Sequence, residues 1–167
     1  MPSTNGLSYC VMKSPVGRLL LVGNRDGLKL ISFQDGAHPI PLDPNWNHDE
    51  KPLRKVISQL EAYFEGNLKN FTLQLTPEGT PFQQRVWQAL QKIPYGKTVS
   101  YGEIAKAIGK PKASRAVGAA NGQNPLSIVT PCHRVIGCNG QLVGYGGGLR
   151  IKERLLYLEH RHSSKKS

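Results

Sequence analysis

Helix-start signals near residue 80 divide this sequence into two parts of different character. The run Thr80-Pro81-Phe82-Gln83 combines a capping residue, a proline suited to the first helical turn and a glutamine that can complete a capping box. Apolar residues then recur at helical spacing as far as Ile93, and Pro94-Tyr95-Gly96 supplies a stop. We therefore expect two lobes, residues 1–78 and residues 79–167, the second of which opens on a helix.

Two short helices follow with the spacing of a helix-turn-helix. Ser100 can cap a helix that runs through Ile108, residues 109–112 make a turn, and residues 113–120 can form the second helix. The second helix has almost no side-chain bulk, and Arg115 is its single long residue. So slim a helix can lie against a minor groove about 6 Å wide, with Arg115 as a probe, or it can pack closely in a core; both interpretations stay open.

The first part of the chain predicts a small sheet with one helix. The apolar runs at residues 17–22 and 28–33 flank a turn-rich linker, as in a β-hairpin. Residues 53–64 carry apolar side chains at helical spacing, and alternation over residues 71–75 predicts one further strand. Together with the helical second part, this pattern predicts an α+β fold.

The net charge of +11 belongs entirely to the second part of the chain. Residues 1–79 carry 8 basic and 8 acidic side chains, whereas residues 80–167 carry 14 basic and 3 acidic ones. Such a basic lobe favours binding to a polyanion, although a solvated basic face gives the same count. No apolar run approaches the roughly 18 residues of a membrane span, and the first residues do not resemble a secretory signal, so we expect a cytoplasmic protein without a membrane partner.

The dipeptide Cys132-His133 is the part of the sequence that can carry covalent chemistry. It follows an apolar run at residues 126–129, which predicts a strand that leads into a loop. The three cysteines form no C-x-x-C pair, so we expect no disulfide framework, no metal site and no cofactor. A thiol, with an unperturbed pKa of about 8.5, needs activation before it acts as a nucleophile. His133 can accept the thiol proton directly or through water while a carboxylate holds the imidazole. A structural cysteine beside a hydrogen-bonded histidine fits the same dipeptide.

A series of motifs extends from this dipeptide over most of residues 79–160. The central motif is Pro131–Ile136, with the sequence Pro-Cys-His-Arg-Val-Ile. The others are Gly79–Gln83, Val99–Gly102, Ser114–Gly118, Asn124–Pro125, Gly144–Gly147 and Lys152–Glu153, with Tyr63–Gly66 in the first lobe. Together they resemble the O6-alkylguanine-DNA alkyltransferases of the bacterial type, also called methylated-DNA–protein-cysteine methyltransferases.

The resemblance implies a fold, an activity and a partner. The fold has an N-terminal lobe like ribonuclease H and a C-terminal winged helix-turn-helix lobe that holds the cysteine. The activity is direct-reversal DNA repair: an alkyl group moves irreversibly, in a single turnover, from O6-alkylguanine to Cys132, with O4-alkylthymine as an open second substrate. The partner is double-stranded DNA, bound at the minor groove with the damaged base flipped out. We expect a monomer, and cooperative assembly on DNA stays open.

The resemblance also assigns catalytic roles by position. His133 acts on Cys132 through a bound water, and Glu159 completes the relay, with Glu153 as the rival carboxylate. Asn124 buttresses the turn and the thiolate.

Contacts with DNA and with the damaged base follow in the same way. Arg115 fills the space left by the flipped base, and Tyr101 lies beside the rotated phosphate and the guanine ring. The remaining predicted DNA contacts are Ser114, Ala116 and Asn121, and the predicted substrate pocket consists of Val135, Tyr145, Gly146 and Lys152.

Two departures and two alternatives accompany this assignment. Asn121 stands where animal relatives often have a bulky apolar wedge, and Gly146 stands where a serine often follows the loop tyrosine, so the preferred lesion stays open. An alkyltransferase-like lesion sensor would bind without reacting, but such proteins have replaced the acceptor cysteine, whereas Cys132 is present here. A winged-helix transcription factor would leave the Cys-His pair unexplained.

Overall fold

The computed structural model describes residues 6–140, 145 and 147–163. Within those residues the first lobe contains a sheet of four strands in the order β3-β2-β1-β4. The strands are β1 (Ser8–Met12), β2 (Leu19–Asn24), β3 (Gly27–Phe33) and β4 (Asn47–His48). The first three pair antiparallel, and β4 runs parallel to β1. The hairpin predicted from the two apolar runs is confirmed as β2 and β3.

One helix covers this sheet. A 3-10 turn at Lys51–Leu53 leads into α1 (Arg54–Phe64), which buries Val56, Leu60 and Tyr63 on one face. Their spacing of four and three residues places them on the same side of the helix, so the predicted amphipathic helix is confirmed.

The strand predicted at residues 71–75 is wrong. Within that segment only Leu75 makes a bridge, to Leu28 on the open edge of β3. Farther along the same edge, Ile31 bridges to Leu126 of the second lobe. Because two separate segments share this edge, neither continues into a ladder.

The second lobe is mainly helical, as predicted. Its elements are α2 (Pro81–Leu90), β5 (Val99–Ser100), α3 (Tyr101–Ala107), α4 (Ser114–Gly122), β6 (Val135–Ile136) and α5 (Leu149–Ser163). Thr80 with Gln83 and Ser100 with Glu103 form the capping boxes that start α2 and α3. The short strands β5 and β6 pair in parallel.

The two lobes share a hydrophobic core. Side chains of the sheet and α1 pack with Leu126, Ile128, Ile151 and Leu155 of the second lobe. A second core joins α2, α3 and α4 and includes Cys132. The segment that carries the cysteine therefore runs from one core into the other, which fixes its position by burial at both ends.

The helices within the described ranges are all too short or too polar to cross a membrane.

Candidate active site

The loop that carries Cys132 is anchored to the first lobe. Leu126 bridges to Ile31, whose N–H donates to Pro125 O at 2.8 Å. The extended segment predicted at residues 126–129 is wrong as a strand, because the pairing stops after this one bridge.

A tight turn at Ile128 ends the pairing. Ile128 has a φ of +76°, and Val129 N donates to Ser127 O at 2.9 Å, which closes a γ-turn. This left-handed conformation is strained for a β-branched residue. Ile128 is 1% exposed in the shared core, and that packing holds the strained backbone in place.

Asn124 braces the same loop with both ends of its amide. Nδ2 donates to Thr130 O at 2.9 Å, and Oδ1 accepts from Leu126 N at 3.0 Å. Thr130 O also accepts from Cys132 N at 2.8 Å. The predicted buttress is thus in contact with the turn immediately before the cysteine.

The Cys132 thiol is buried among polar neighbours. Burial raises its pKa, while the Asn124 amide, the Tyr145 hydroxyl and the Lys152 ammonium each offset part of that rise. The Tyr145 hydroxyl is itself buried; burial and the neighbouring Cys132 raise the pKa of Tyr145 well above its usual range. Lys152 is fully buried, and its Nζ donates to Val135 O at 2.6 Å. The cysteine therefore rests as a neutral thiol beside groups that favour its ionised form.

His133 and Glu159 form a buried pair next to the cysteine. His133 Nε2 lies 2.7 Å from Glu159 Oε2, and both side chains are fully buried. Burial lowers the pKa of His133 despite the carboxylate, so the imidazole is neutral at neutral pH. Burial would raise the pKa of Glu159, but His133 and Arg134 outweigh it and hold that pKa well below its usual range.

The ionised carboxylate fixes the tautomer of the imidazole. Because Glu159 Oε2 is an acceptor, the ring proton of a neutral His133 lies on Nε2 and is donated to it. The other ring nitrogen, Nδ1, is left as an acceptor. Nδ1 is buried and has no hydrogen-bond partner among the described residues. A base of this kind can take a proton from a nearby thiol through one water molecule.

Glu159, not its rival Glu153, faces the histidine. Glu159 is fully buried, whereas Glu153 is exposed on α5 and borders a shallow surface depression with Arg150, Arg154 and Tyr157.

Two further side chains that contact Glu159 were not singled out from the sequence. Arg134 donates from Nε to Oε1 at 2.7 Å and from Nη2 to Oε2 at 3.0 Å, and its Nη1 donates to Ile93 O at 2.7 Å. Tyr63 of α1 donates from Oη to Oε2 at 2.6 Å. Both lie within the motifs shared with the family. Arginine is usually exposed and tyrosine usually packs in a core, so residue type alone does not indicate that either side chain contacts the Glu159 carboxylate.

The slim helix α4 has one buried and one exposed side. Val117 and Ala120 are buried against the neighbouring helices, whereas Arg115 and Ala116 are exposed and Ser114 is half-buried. The close packing of its small residues is therefore confirmed on the buried face, and contact of the exposed face with a minor groove stays a prediction.

Tyr101 and Asn121 both interact with Cys132. Burial and the nearby Cys132, which repels a second negative charge when it ionises, raise the pKa of Tyr101, and the Tyr101 ring lies against Gly118. Asn121 is 3% exposed, and its Nδ2 donates to Cys132 O at 3.4 Å. The structure thus gives Asn121 a place in the support of the cysteine, and its predicted contact with DNA stays a prediction.

Predicted pocket residue Gly146 lies outside the described residues. Among the described residues, no group of three or more His, Cys, Asp or Glu side chains is arranged to hold a metal ion.

The structure defines a class of two-lobed protein with a sheet lobe, a helical lobe and a buried cysteine in the core of the helical lobe. Comparison with known proteins identifies that class. The family model "6-O-methylguanine DNA methyltransferase, ribonuclease-like domain" matches residues 7–77, and the "DNA binding domain" of the same name matches residues 81–161. The predicted fold is thereby confirmed in both lobes.

The relatives agree over nearly the whole chain. A methylated-DNA–protein-cysteine methyltransferase of Methanosarcina acetivorans is 56% identical over 151 residues, which cover 90% of this chain and 97% of that protein. One of Mycolicibacterium paratuberculosis is 50% identical over 94% of each chain. The crystal structure of Mycobacterium tuberculosis OGT in complex with DNA is 47% identical over 93% of this chain and 94% of that one, with a TM-score of 0.87. The chain belongs to the 6-O-methylguanine DNA methyltransferase family.

Proposed function

We propose that this protein repairs O6-alkylguanine in double-stranded DNA by transferring the alkyl group irreversibly to its own Cys132. The observation that carries the proposal is the buried Cys132 thiol, surrounded by Asn124, Tyr145 and Lys152, next to a neutral His133 whose tautomer is fixed by Glu159. The family to which the chain belongs and the names of its relatives support the same reaction.

The transfer is a displacement at the alkyl carbon. The thiol proton passes through one water to Nδ1 of His133, and the resulting thiolate attacks the carbon attached to O6. A carbon–sulfur bond forms as the carbon–oxygen bond breaks, and the electron pair of that bond returns to the guanine. Lys152 favours the thiolate by its charge, and Asn124 and Tyr145 favour it by their polar groups.

The leaving guanine requires a pocket outside the DNA stack. Reaching O6 for in-line attack requires extrusion of the base, at a cost of a few kcal/mol. Tyr101 donates to a ring nitrogen as negative charge develops on the guanine, and backbone groups of Cys132, Val135 and Gly146 bind its edge. The Val135 carbonyl already accepts from Lys152, which orients it.

Extrusion is assigned to α4. Its exposed face presents Arg115 beside the small side chains of Ser114 and Ala116, so the helix can approach a minor groove and insert a single long residue. The positive charge of the second lobe attracts the phosphates. The protein acts as a monomer on the lesion.

The product explains why one molecule repairs one lesion. S-alkylcysteine is a thioether and a poor leaving group. Cys138 lies six positions farther along the chain and is exposed, whereas Cys132 is buried. Because the two thiols are in different surroundings, we assign Cys138 no part in the reaction.

Intact-protein mass spectrometry tests the proposal. We expect a duplex with one O6-methylguanine to add one methyl group per protein molecule, and peptide mapping to locate it on Cys132. Cys132→Ser should lose transfer and keep DNA binding, while Cys138→Ser should retain both. Retained binding to the lesion with an unchanged mass would instead identify a lesion sensor.

A further inference from the structure

A side chain of the first lobe is in direct contact with the relay of the second. Tyr63 lies on α1, is fully buried, and donates from Oη to Glu159 Oε2 at 2.6 Å. The same oxygen accepts from His133 Nε2 at 2.7 Å and from Arg134 Nη2 at 3.0 Å. We propose that Tyr63 is a positioning residue for alkyl transfer, whose hydroxyl orients Glu159 and limits how strongly this carboxylate binds His133. The proposal rests on the function proposed above.

The direction of the hydrogen bond is unambiguous. Burial, followed by the charge and hydrogen bond of Glu159, raises the pKa of Tyr63 well above its usual range, so the phenol keeps its proton and donates. Arg134 already supplies the balancing positive charge, through Nε on one carboxylate oxygen and Nη2 on the other. Tyr63 therefore adds a directional bond without changing the net charge of the group.

The Tyr63 hydroxyl affects His133 because both side chains donate to the same oxygen, Glu159 Oε2. Each donor to Oε2 withdraws electron density from that oxygen and weakens it as an acceptor for the others. When the Tyr63 hydroxyl is removed, more negative charge remains available to His133, whose pKa rises, and the carboxylate loses one of the bonds that fix its rotation. His133 then becomes protonated at higher pH, and the protonated ring cannot accept the thiol proton.

The charged and titratable groups that face this pair come from several elements. Glu159 and Lys152 lie on α5, Arg134 follows His133 in the chain, Tyr63 lies on α1, and Tyr95 follows α2. Arg134 and Lys152 lower the pKa of His133, in the opposite direction to Glu159. Tyr63→Phe alters none of these charges, so a changed pH dependence reports the lost hydroxyl.

A purely structural role for Tyr63 makes a different prediction. Its ring packs near Phe64, Phe71 and Tyr95 in the shared core. Tyr63→Phe keeps that ring and removes only the hydroxyl. Tyr95→Phe is the matched control, because the Tyr95 hydroxyl is also buried but has no hydrogen-bond partner among the described residues.

The first experiment measures single-turnover transfer from an O6-methylguanine duplex between about pH 5.5 and 8.5. We expect Tyr63→Phe to be roughly tenfold slower at neutral pH, with the low-pH limb of its rate profile moved to higher pH, and Tyr95→Phe to match the wild type. In a Glu159→Gln background, Tyr63→Phe should cause no further loss. A pH profile of unchanged position, or full additivity in that background, would overturn the proposal.

The second experiment observes His133 without any DNA. Nuclear magnetic resonance of the imidazole should show the Nε2 proton farther downfield, and protonation at higher pH, in Tyr63→Phe than in the wild type or Tyr95→Phe. Identical His133 resonances and titration in all three proteins overturn the proposal. If the wild type gains no methyl group from the lesion, the proposed function fails, while the resonances still decide whether Tyr63 controls His133.

Discussion

Arg134 and Glu159 form a buried two-point ion pair, with Nε donating to Oε1 at 2.7 Å and Nη2 to Oε2 at 3.0 Å. Replacement of Arg134 by methionine leaves the Glu159 carboxylate buried without its balancing charge. We expect Arg134→Met to lower the free energy of unfolding by about 3–5 kcal/mol, measured by urea denaturation at neutral pH. Arg18→Met is the control, since it breaks the exposed Arg18–Asp35 pair and should cause little change. Equal unfolding curves for the two variants would contradict the prediction.

Stability should fall as the solution becomes acidic, in two stages. Burial depresses the pKa of His133 below 6.5, so below pH 6.5 the unfolded chain binds a proton that the folded chain does not, and stability declines. The folded-state pKa of Glu159 is depressed below 4.5, so its contribution is present above pH 4.5 and is lost as pH falls toward the folded-state value. Thermal unfolding of the wild type and His133→Gln across this range checks the first stage. A wild-type midpoint that stays constant from neutral pH down to about pH 5 would contradict it.

The helices α1, α2 and α3 were predictable because each has a local signal. The capping boxes at Thr80 and Ser100 and the apolar face of α1 are properties of a few neighbouring residues, and the structure reproduces them. The two strand predictions at residues 71–75 and 126–129 were wrong for a shared reason. Both segments meet the same edge of β3, and competition for an edge depends on the fold, not on local alternation.

The site shows the same division between local and long-range information. The Cys132-His133 pair is adjacent in sequence, and the family resemblance assigned Glu159 as its partner, with Glu153 as the rival. The Tyr63 contact spans 96 positions between two lobes, so no spacing rule in the sequence indicates it. Burial of Arg134 likewise follows only from the position of Glu159.

Asn124 should affect reactivity by two separable routes. Asn124→Ala removes the hydrogen bonds to Leu126 N and Thr130 O and the contact with the Cys132 thiol, so we expect a loss of about 1–3 kcal/mol of stability and slower transfer. Asn124→Asp keeps an acceptor for Leu126 N but puts a negative charge beside Cys132, which raises the pKa of the thiol. Transfer by the aspartate variant should therefore require higher pH than transfer by the alanine variant. Rate profiles on the same duplex compare them, and superimposable profiles would refute the electrostatic route.

Lys152 should matter more for transfer than for stability. Its burial lowers its pKa, which shows that the charge is held at a cost, while the same charge favours the Cys132 thiolate. We expect Lys152→Met to slow transfer roughly tenfold and to change the unfolding midpoint little, because relief of the buried charge offsets the lost bond to Val135 O. Single-turnover assays measure the rate of transfer, and urea denaturation measures the stability. A large loss of stability with normal transfer would reverse the assignment.

Arg115 should act on base extrusion, not on affinity in general. Arg115 is exposed on the slim face of α4, and Lys112 is exposed in the turn just before it, so the two cations form a matched pair close in sequence. We expect Arg115→Ala to slow transfer on duplex DNA by roughly tenfold or more while single-stranded substrate reacts at the normal rate, because only the duplex requires a space-filling residue. Lys112→Ala should instead weaken binding to every duplex. The dependence of the DNA-binding constant on salt concentration should become less steep, by the amount expected for the loss of about one phosphate contact. If Arg115→Ala behaved as Lys112→Ala does, its role would be reduced to that of an ordinary phosphate contact.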